Sequence, residues 1–446
     1  MLILFLVLFA AGLVAQDLTS PLISDSWQAT FSNPALYGQG RGRLTVGLPG
    51  LTNDLVAENV TYNDLLQTEN GERILDLTRL PGLLEERNVL RDDFSLETIG
   101  AALRGDRLSF GLFHRVRASG ELDYPKTLVQ VVVEGNAQFI GETVEIAPAG
   151  FGTSFHELGL GASYAITNQL HFGVRIKYLS GIADVRTLPG GSLGLTTDEE
   201  NFALTLDQDL TINTAGTIDY NGLEDVGVNY DLNRIRTDDL FSENNGLAFD
   251  FGLFADLGKL RLQAAANDLA GRIDWSNEVS TFRLEGTSAF SGLDILEQVL
   301  EDSVSFDNAL DSLRLAFEPT EGTAPYRSDL YATYLLGGEF DLTDRLTAGL
   351  LIVHYDRPLE AETAFALSAR YAIIDELTVG LNYNARKEAT ANLGLHLLAE
   401  IGPVNLLVST DNLLTVFQQR GSSRAGVRLG ASLSLGGGSS PDEASE

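Results

Sequence analysis

The chain offers few residues at spacings that support chemistry. Its five histidines, His114, His156, His171, His354 and His396, are scattered, and none stands in an H-E-x-x-H pair of the kind that holds zinc on a helix. Gly190-Gly191-Ser192-Leu193-Gly194 matches G-x-S-x-G. A nucleophile elbow needs a strand before it and a helix after it, and with Thr-Thr-Asp-Glu-Glu following, this segment reads as a loop. There is no P-loop and no G-x-G-x-x-G in a βαβ setting. Asp219-Tyr220-Asn221-Gly222 is an acidic turn without the spacing of a calcium loop. Cysteine is absent, which removes disulfides, thiol nucleophiles and thiolate metal sites. Nothing asks for a cofactor or a metal, and the chain is expected not to be an enzyme.

The bulk numbers narrow the class. The 446 residues carry 62 acids against 30 bases, a net charge of −32. Phosphate binding needs concentrated Lys and Arg, so nucleic acid is not an expected partner. Hydrophobic content of 44% with 21% charged residues suits a folded chain. The start, MLILFLVLFAAGLVAQ, is an apolar run too short to span a bilayer of about 30 Å. It reads as a signal peptide over 1–15, cleaved near Ala15. No later segment reaches about 18 uninterrupted apolar residues, so a membrane would have to be crossed by a closed barrel.

The elements that would position any site announce themselves by alternation. In QLHFGVRIKYL, Leu170, Phe172, Val174, Ile176 and Tyr178 fall on one face, and His171, Gly173, Arg175 and Lys177 on the other. RLSFGLFHR, ELTVGLNYNAR and RAGVRLGASLSL repeat the pattern, each about as long as a tilted strand needs to be to cross a bilayer. Connectors are of two kinds. Thr167-Asn168, Leu257-Gly258-Lys259, Thr343-Asp344 and Ile374-Asp375 read as hairpin turns. Others are long and polar, above all 188–245, where twelve acids and two bases lie between Asp198 and Glu243.

Such asymmetry is that of an outer-membrane barrel. The expected fold is all-β: a transmembrane antiparallel β-barrel of about 14 strands (12–16) over 40–436. Its apolar face, Leu170 to Tyr178 on even positions, would meet lipid, and His171, Arg175 and Lys177 would face the lumen. A secreted soluble β-sandwich would show similar alternation and is the competing architecture. The polar face argues against it, being rich in Gly, Ser, Asn and Arg rather than Lys and Glu. Three stretches break the β period: 72–90 looks partly helical, 124–136 fits helix or strand, and 291–317 is the best helical insert. Residues 437–446 read as a disordered acidic tail.

WQATFSNPALYGQGRG lies between the signal and the first good strand. Asn33-Pro34-Ala35 within it is a turn signal, since Asn can bond its own backbone and Pro fixes φ. It reads as an N-terminal segment, 16–39, tucked into the barrel.

SNPALYG (32–38), GLPGL (47–51), NVTYNDLL (59–66), YPKTLVQVVVEGN (124–136), FHELGLGAS (155–163), LHFGVRIKYLSGIADV (170–185), AFDFGLF (248–254) and NDLAGRIDW (267–275) resemble, in the same order, a family of uncharacterised barrels of unknown function from bacteria with type IX secretion. The asparagine-proline-alanine segment more distantly resembles the start of long-chain fatty-acid transporters and of type IX secretion shuttle barrels. The resemblance implies a fourteen-stranded barrel with Asn33, Pro34 and Ala35 in a luminal plug. No fatty-acid site carries over, and the last strand lacks the terminal aromatic residue common in such barrels.

Two functions follow as expectations for an outer-membrane protein of a Gram-negative bacterium. One is passive transport of a hydrophobic or small solute through a plugged lumen, with membrane lipid and a hydrophobic small molecule as partners. The other is a surface or type IX secretion accessory role, with a protein partner bound by acidic loops.

Overall fold

The computed structural model describes residues 18–61, 64–69, 72–220, 226–228, 239–290, 319–387, 392–413 and 423–436. The expected signal peptide 1–15, the expected helical insert 291–317 and the expected tail 437–446 lie outside them.

Fourteen antiparallel strands form one closed ladder. They are β1 (Leu44–Ala57), β2 (Arg87–Leu103), β3 (Leu108–Pro125), β4 (Ala149–Ala165), β5 (Leu170–Thr187), β6 (Asn245–Asp256), β7 (Leu260–Trp275), β8 (Thr333–Asp341), β9 (Leu346–Tyr355), β10 (Glu362–Ile374), β11 (Leu377–Ala385), β12 (Asn392–Ile401), β13 (Val404–Thr410) and β14 (Arg424–Leu435). Each pairs with its neighbours in sequence, and β14 closes on β1 with Leu44 opposite Leu435 and Val56 opposite Arg424. The expected count of about fourteen is met. The β-sandwich alternative fails, because a sandwich needs two sheets packed face to face and this ladder is one sheet closed on itself.

Connections at one end are short: 104–107, 166–169, 257–259, 342–345, 375–376 and 402–403. At the other end they are long. There the strands Thr143–Glu145, Ser192–Thr197, Leu204–Gly216, Val279–Phe290 and Thr320–Gly322 carry the sheet beyond the barrel. Tyr326 ties this extension to β5, its hydroxyl donating to Asp184 Oδ2 at 2.8 Å. Burial, with that carboxylate beside it, holds the phenol above its ordinary range. Ser192, the G-x-S-x-G serine, starts a strand, so no elbow forms.

The ambiguous segment 124–136 is a helix over Lys126–Glu134, despite its run of valines. Packing overrides the β preference here. Val129 and Val133 face Leu65 and Leu84, while Leu128 and Val131 cover Val144, Leu195 and Leu206. Within 72–90, a strand Glu72–Leu75 and two short turns of helix precede β2.

Alternation along the strands divides the residues cleanly. Phe110, Leu112, Leu160, Phe172, Val174, Ile176, Phe249, Phe251, Leu336, Leu350, Phe365 and Leu381 stand exposed around the outside. Their inward neighbours are buried, many of them charged. The closed ladder has no spare edge, so a proline inside it removes a donor without a substitute. Leu433→Pro on β14, opposite Val46 and Val404, is expected to abolish the compact, boiling-sensitive band of the folded barrel on gels, while Ser434→Ala leaves it.

Candidate functional site: the N-terminal segment inside the barrel

Residues 18–39 run through the barrel interior as a chain of tight turns: Ser20–Leu22, Ala29–Ser32 and Pro34–Gly38. Asn33 and Pro34 shape the last of these. Pro34 takes the first position, where its fixed φ fits and no N–H is needed. Asn33 is extended, and its Oδ1 accepts from the Ala35 N–H at 3.0 Å, a side-chain cap. Its Nδ2 donates to Leu253 O at 3.0 Å and to Gln263 Oε1 at 3.3 Å. Asn33 and Ala35 are wholly buried.

The segment meets the whole circumference. Trp27 lies against Gly47 of β1 and Gly100 of β2, and Tyr37 against Gly111 of β3 and Gly161 of β4. Ala35 lies against Gly173 of β5, and Asn33 against Gly252 of β6 and Gln263 of β7. Leu22 packs with Leu335 of β8 and Gly349 of β9, and its carbonyl accepts from Arg370 of β10. Thr19 meets Asn382 of β11, Ile23 packs with Leu398 of β12 and Leu407 of β13, and Gln28 lies against Gly430 of β14. The wall glycines are sockets. A Cβ on Gly173 would sit 2.2 Å from the Ala35 nitrogen, on Gly252 2.0 Å from Asn33 Oδ1, and on Gly111 2.1 Å from the Tyr37 ring. Only a hydrogen side chain leaves room at these distances.

Arg175 holds the segment by charge. Its guanidinium donates to Thr30 O at 2.8 Å, Phe31 O at 2.7 Å and the Tyr37 hydroxyl at 3.2 Å. The two carbonyls belong to the short helix Ala29–Ser32, so the cation satisfies its open C-terminal end. The same guanidinium pairs with Asp250 Oδ2 at 2.5 Å. Lys177 Nζ lies 2.6 Å from Asp250 Oδ1 and bridges to Asp268, which also takes Arg117 at 3.1 Å. Asp250 Oδ1 accepts from the Asp268 N–H at 2.8 Å. Asp268 and Ala270 both hold positive φ, 59° and 50°. They mark a double bulge where β7 carries two more residues than β6 between the pairs Phe251–Ala266 and Leu247–Arg272.

A second set of buried charges lies toward the end with long connections. Glu362 is surrounded by Arg91 at 3.1 Å, Arg424 at 3.7 Å, Arg386 at 3.8 Å and Arg357 at 4.0 Å. Asp54, Asp93 and Asp411 balance three of these arginines. Between this set and the segment is a cavity of about 190 Å³, lined by Phe31, Arg117, Asp268, Tyr331, Val353 and Tyr355 among others. On the other side of the segment a smaller cavity of about 20 Å³ lies by Asp25, Trp27 and Arg41.

Of the strand residues singled out by alternation, Arg175 and Lys177 are buried on the inward side, and His171 is half-buried near Gly38 and Phe254. Phe172, Val174 and Ile176 are exposed outside, while Leu170 and Tyr178 are half-buried, Tyr178 beneath Phe241. His114 and His156 come together on the β3–β4 pair with ring nitrogens 3.1 Å apart. Among the described residues no group of three or more candidate metal ligands occurs. Sequence reasoning missed the glycine sockets and the acids that answer Arg175 and Lys177. The sockets did leave a signal, a glycine alternating with large apolar residues in LSFGLF, HFGVR and FDFGLF.

With no native cysteine, one introduced thiol reports on seating. Ala35→Cys should react slowly with a water-soluble maleimide, and adding Gly173→Leu should raise that rate by about tenfold or more through local opening, with the boiling-sensitive band kept.

A comparison with curated proteins finds no match. Among solved structures the chain is similar to the toluene transporter TodX of Pseudomonas putida, at 11% identity over 91% of this chain and 92% of that one, TM-score 0.40. It is similar to a FadL homologue of Pseudomonas aeruginosa, at 12% identity over 92% of each chain, TM-score 0.39. A deltaS2S3 mutant of the TodX monoaromatic hydrocarbon channel gives 12% identity over 91% of this chain and 93% of that one, TM-score 0.44. The barrel assignment rests on the closed ladder itself. The model of a family of unknown function, DUF5723, matches residues 34–411, most of the chain and including Pro34 and Ala35 of the buried segment, and the protein belongs to that family.

Proposed function

We propose that this protein is an outer-membrane barrel that passes a small hydrophobic solute passively across the bilayer, with residues 18–39 as a plug that blocks the lumen at rest. One observation carries the reading: a separate segment of chain, rather than wall side chains alone, fills the lumen and touches every strand. Such a filling can shift without breaking the wall. The exposed apolar band outside supports placement in lipid, with Phe172, Val174 and Ile176 on the lipid side and Arg175 and Lys177 in the lumen. Export by the 1–15 signal peptide goes with this placement. A surface or secretion-accessory role has no observation of its own among the described residues.

Two measurements test the proposal. A charge at the middle of the lipid face costs about 2–4 kcal/mol in a barrel. Val174→Arg is therefore expected to cut the yield of folded barrel in the membrane fraction, and normal yield would count against lipid contact there. In liposomes, deleting residues 18–39 should raise uptake of a small aromatic solute well above that of the intact chain. Equal impermeability of both would sink the transport reading.

A further inference from the structure

The lumen wall carries charged side chains over much of its circumference, and its inward apolar side chains gather in separate clusters, one of them on β8–β10. On β8, β9 and β10 the side chains of Leu335, Leu351, Val353, Tyr355, Ala364 and Ala366 face inward and are buried in a single cluster. What completes that cluster is the N-terminal segment itself: Leu18 is 0% and Leu22 2% exposed there. The fit is built. A Cβ on Gly349 would sit 3.1 Å from Leu22 Cδ2, Arg370 takes the Leu22 carbonyl at 3.0 Å, and Asp411 takes the Leu18 N–H at 2.9 Å. The cavity of about 190 Å³ reaches the same wall, since Leu335, Val353 and Tyr355 line it together with Pro21, which lies next to Leu22 in the chain.

We infer that this aliphatic slot on β8–β10 is the solute site of the barrel, and that Leu18 and Leu22 occupy it in place of solute. The inference rests on the transport reading and adds where the solute sits, what chemistry it has and what it competes with. An uncharged, compact hydrocarbon or aromatic group fits. Apart from the Tyr355 hydroxyl, these slot residues offer alkyl and ring surface. Each cation at the adjoining cavity already has a carboxylate partner: Arg115 and Arg117 at Glu157, Arg117 and Lys177 at Asp268, Lys177 also at Asp250, and Arg428 at Glu97. An anionic ligand would have to share a cation that already has a carboxylate partner, whereas a neutral one needs only to displace two leucyl side chains. Solute binding and seating of the plug then exclude one another, so solute weakens the plug and the plug lowers apparent solute affinity by the fraction of time the slot is free.

The test uses the full chain held in amphipol and 1-aminoanthracene, a small neutral fluorophore, as the probe. Leu18→Ala with Leu22→Ala should bind the probe about tenfold more tightly than the unmodified chain, because the competing occupant is truncated. Adding Ala366→Phe, which fills the slot from the wall, should remove that gain. Should the double variant fail to give the boiling-sensitive band, Leu22→Ala alone is read in the same way. Equal affinity in the unmodified and truncated chains, or indifference to Ala366→Phe, overturns the assignment of the slot. If probe binding behaves as expected while plug deletion leaves liposome uptake flat, the site stands and the transport reading falls. If uptake rises while the probe ignores all three substitutions, transport stands and this slot is not its site.

Discussion

Fourteen strands enclose more space than their own side chains can fill. An eight-stranded barrel closes on a core of side chains, and each added strand widens the interior. At fourteen, water or a second layer of protein must take the middle. Here it is protein, and most features of the molecule answer to that fact. The segment 18–39 takes the volume, the inward glycines set its height and rotation, and the buried charges satisfy its open backbone groups. The turns in the segment are three to five residues long, and Asn33 with Pro34 makes the last of them self-capping.

Charge in such an interior is costly unless paired. The lumen solves this by lattices rather than isolated pairs. Asp250 alone serves Arg175, Lys177 and the amide of Asp268, so the segment, the wall and the bulge share one carboxylate. Glu362 plays a similar part among four arginines. These lattices also fix register. Sliding β5 by one residue would turn Arg175 and Lys177 outward and Val174 inward, so a one-residue slip is penalised on both faces at once.

Much of the architecture was legible in the chain. Strict alternation in 170–178, short turns such as Leu257-Gly258-Lys259 and the contrast of short and long connections all depend on neighbours in sequence. So does the cap at Asn33, whose partner is two residues away. Partners far apart in the chain were not legible: Asp411 for Leu18, Gly430 for Gln28, and Asp250 and Asp268 for the β5 cations. The helix at Lys126–Glu134 was undecided for the same reason, since valines allow strand or helix and only the two clusters it touches choose. Glycine in a strand was visible but mute, because its meaning lies in what approaches it from across the lumen.

The seam between β1 and β14 has a consequence for the order of assembly. The segment precedes β1 in the chain yet rests inside the ring that β14 completes. Its contacts with β1 to β7 can form while the sheet is still an open arc, but Gln28 against Gly430 and Leu18 on Asp411 wait for the final strands. In the finished ring the last strands meet the segment as well as β1, Gly430 at Gln28 and Asp411 at Leu18.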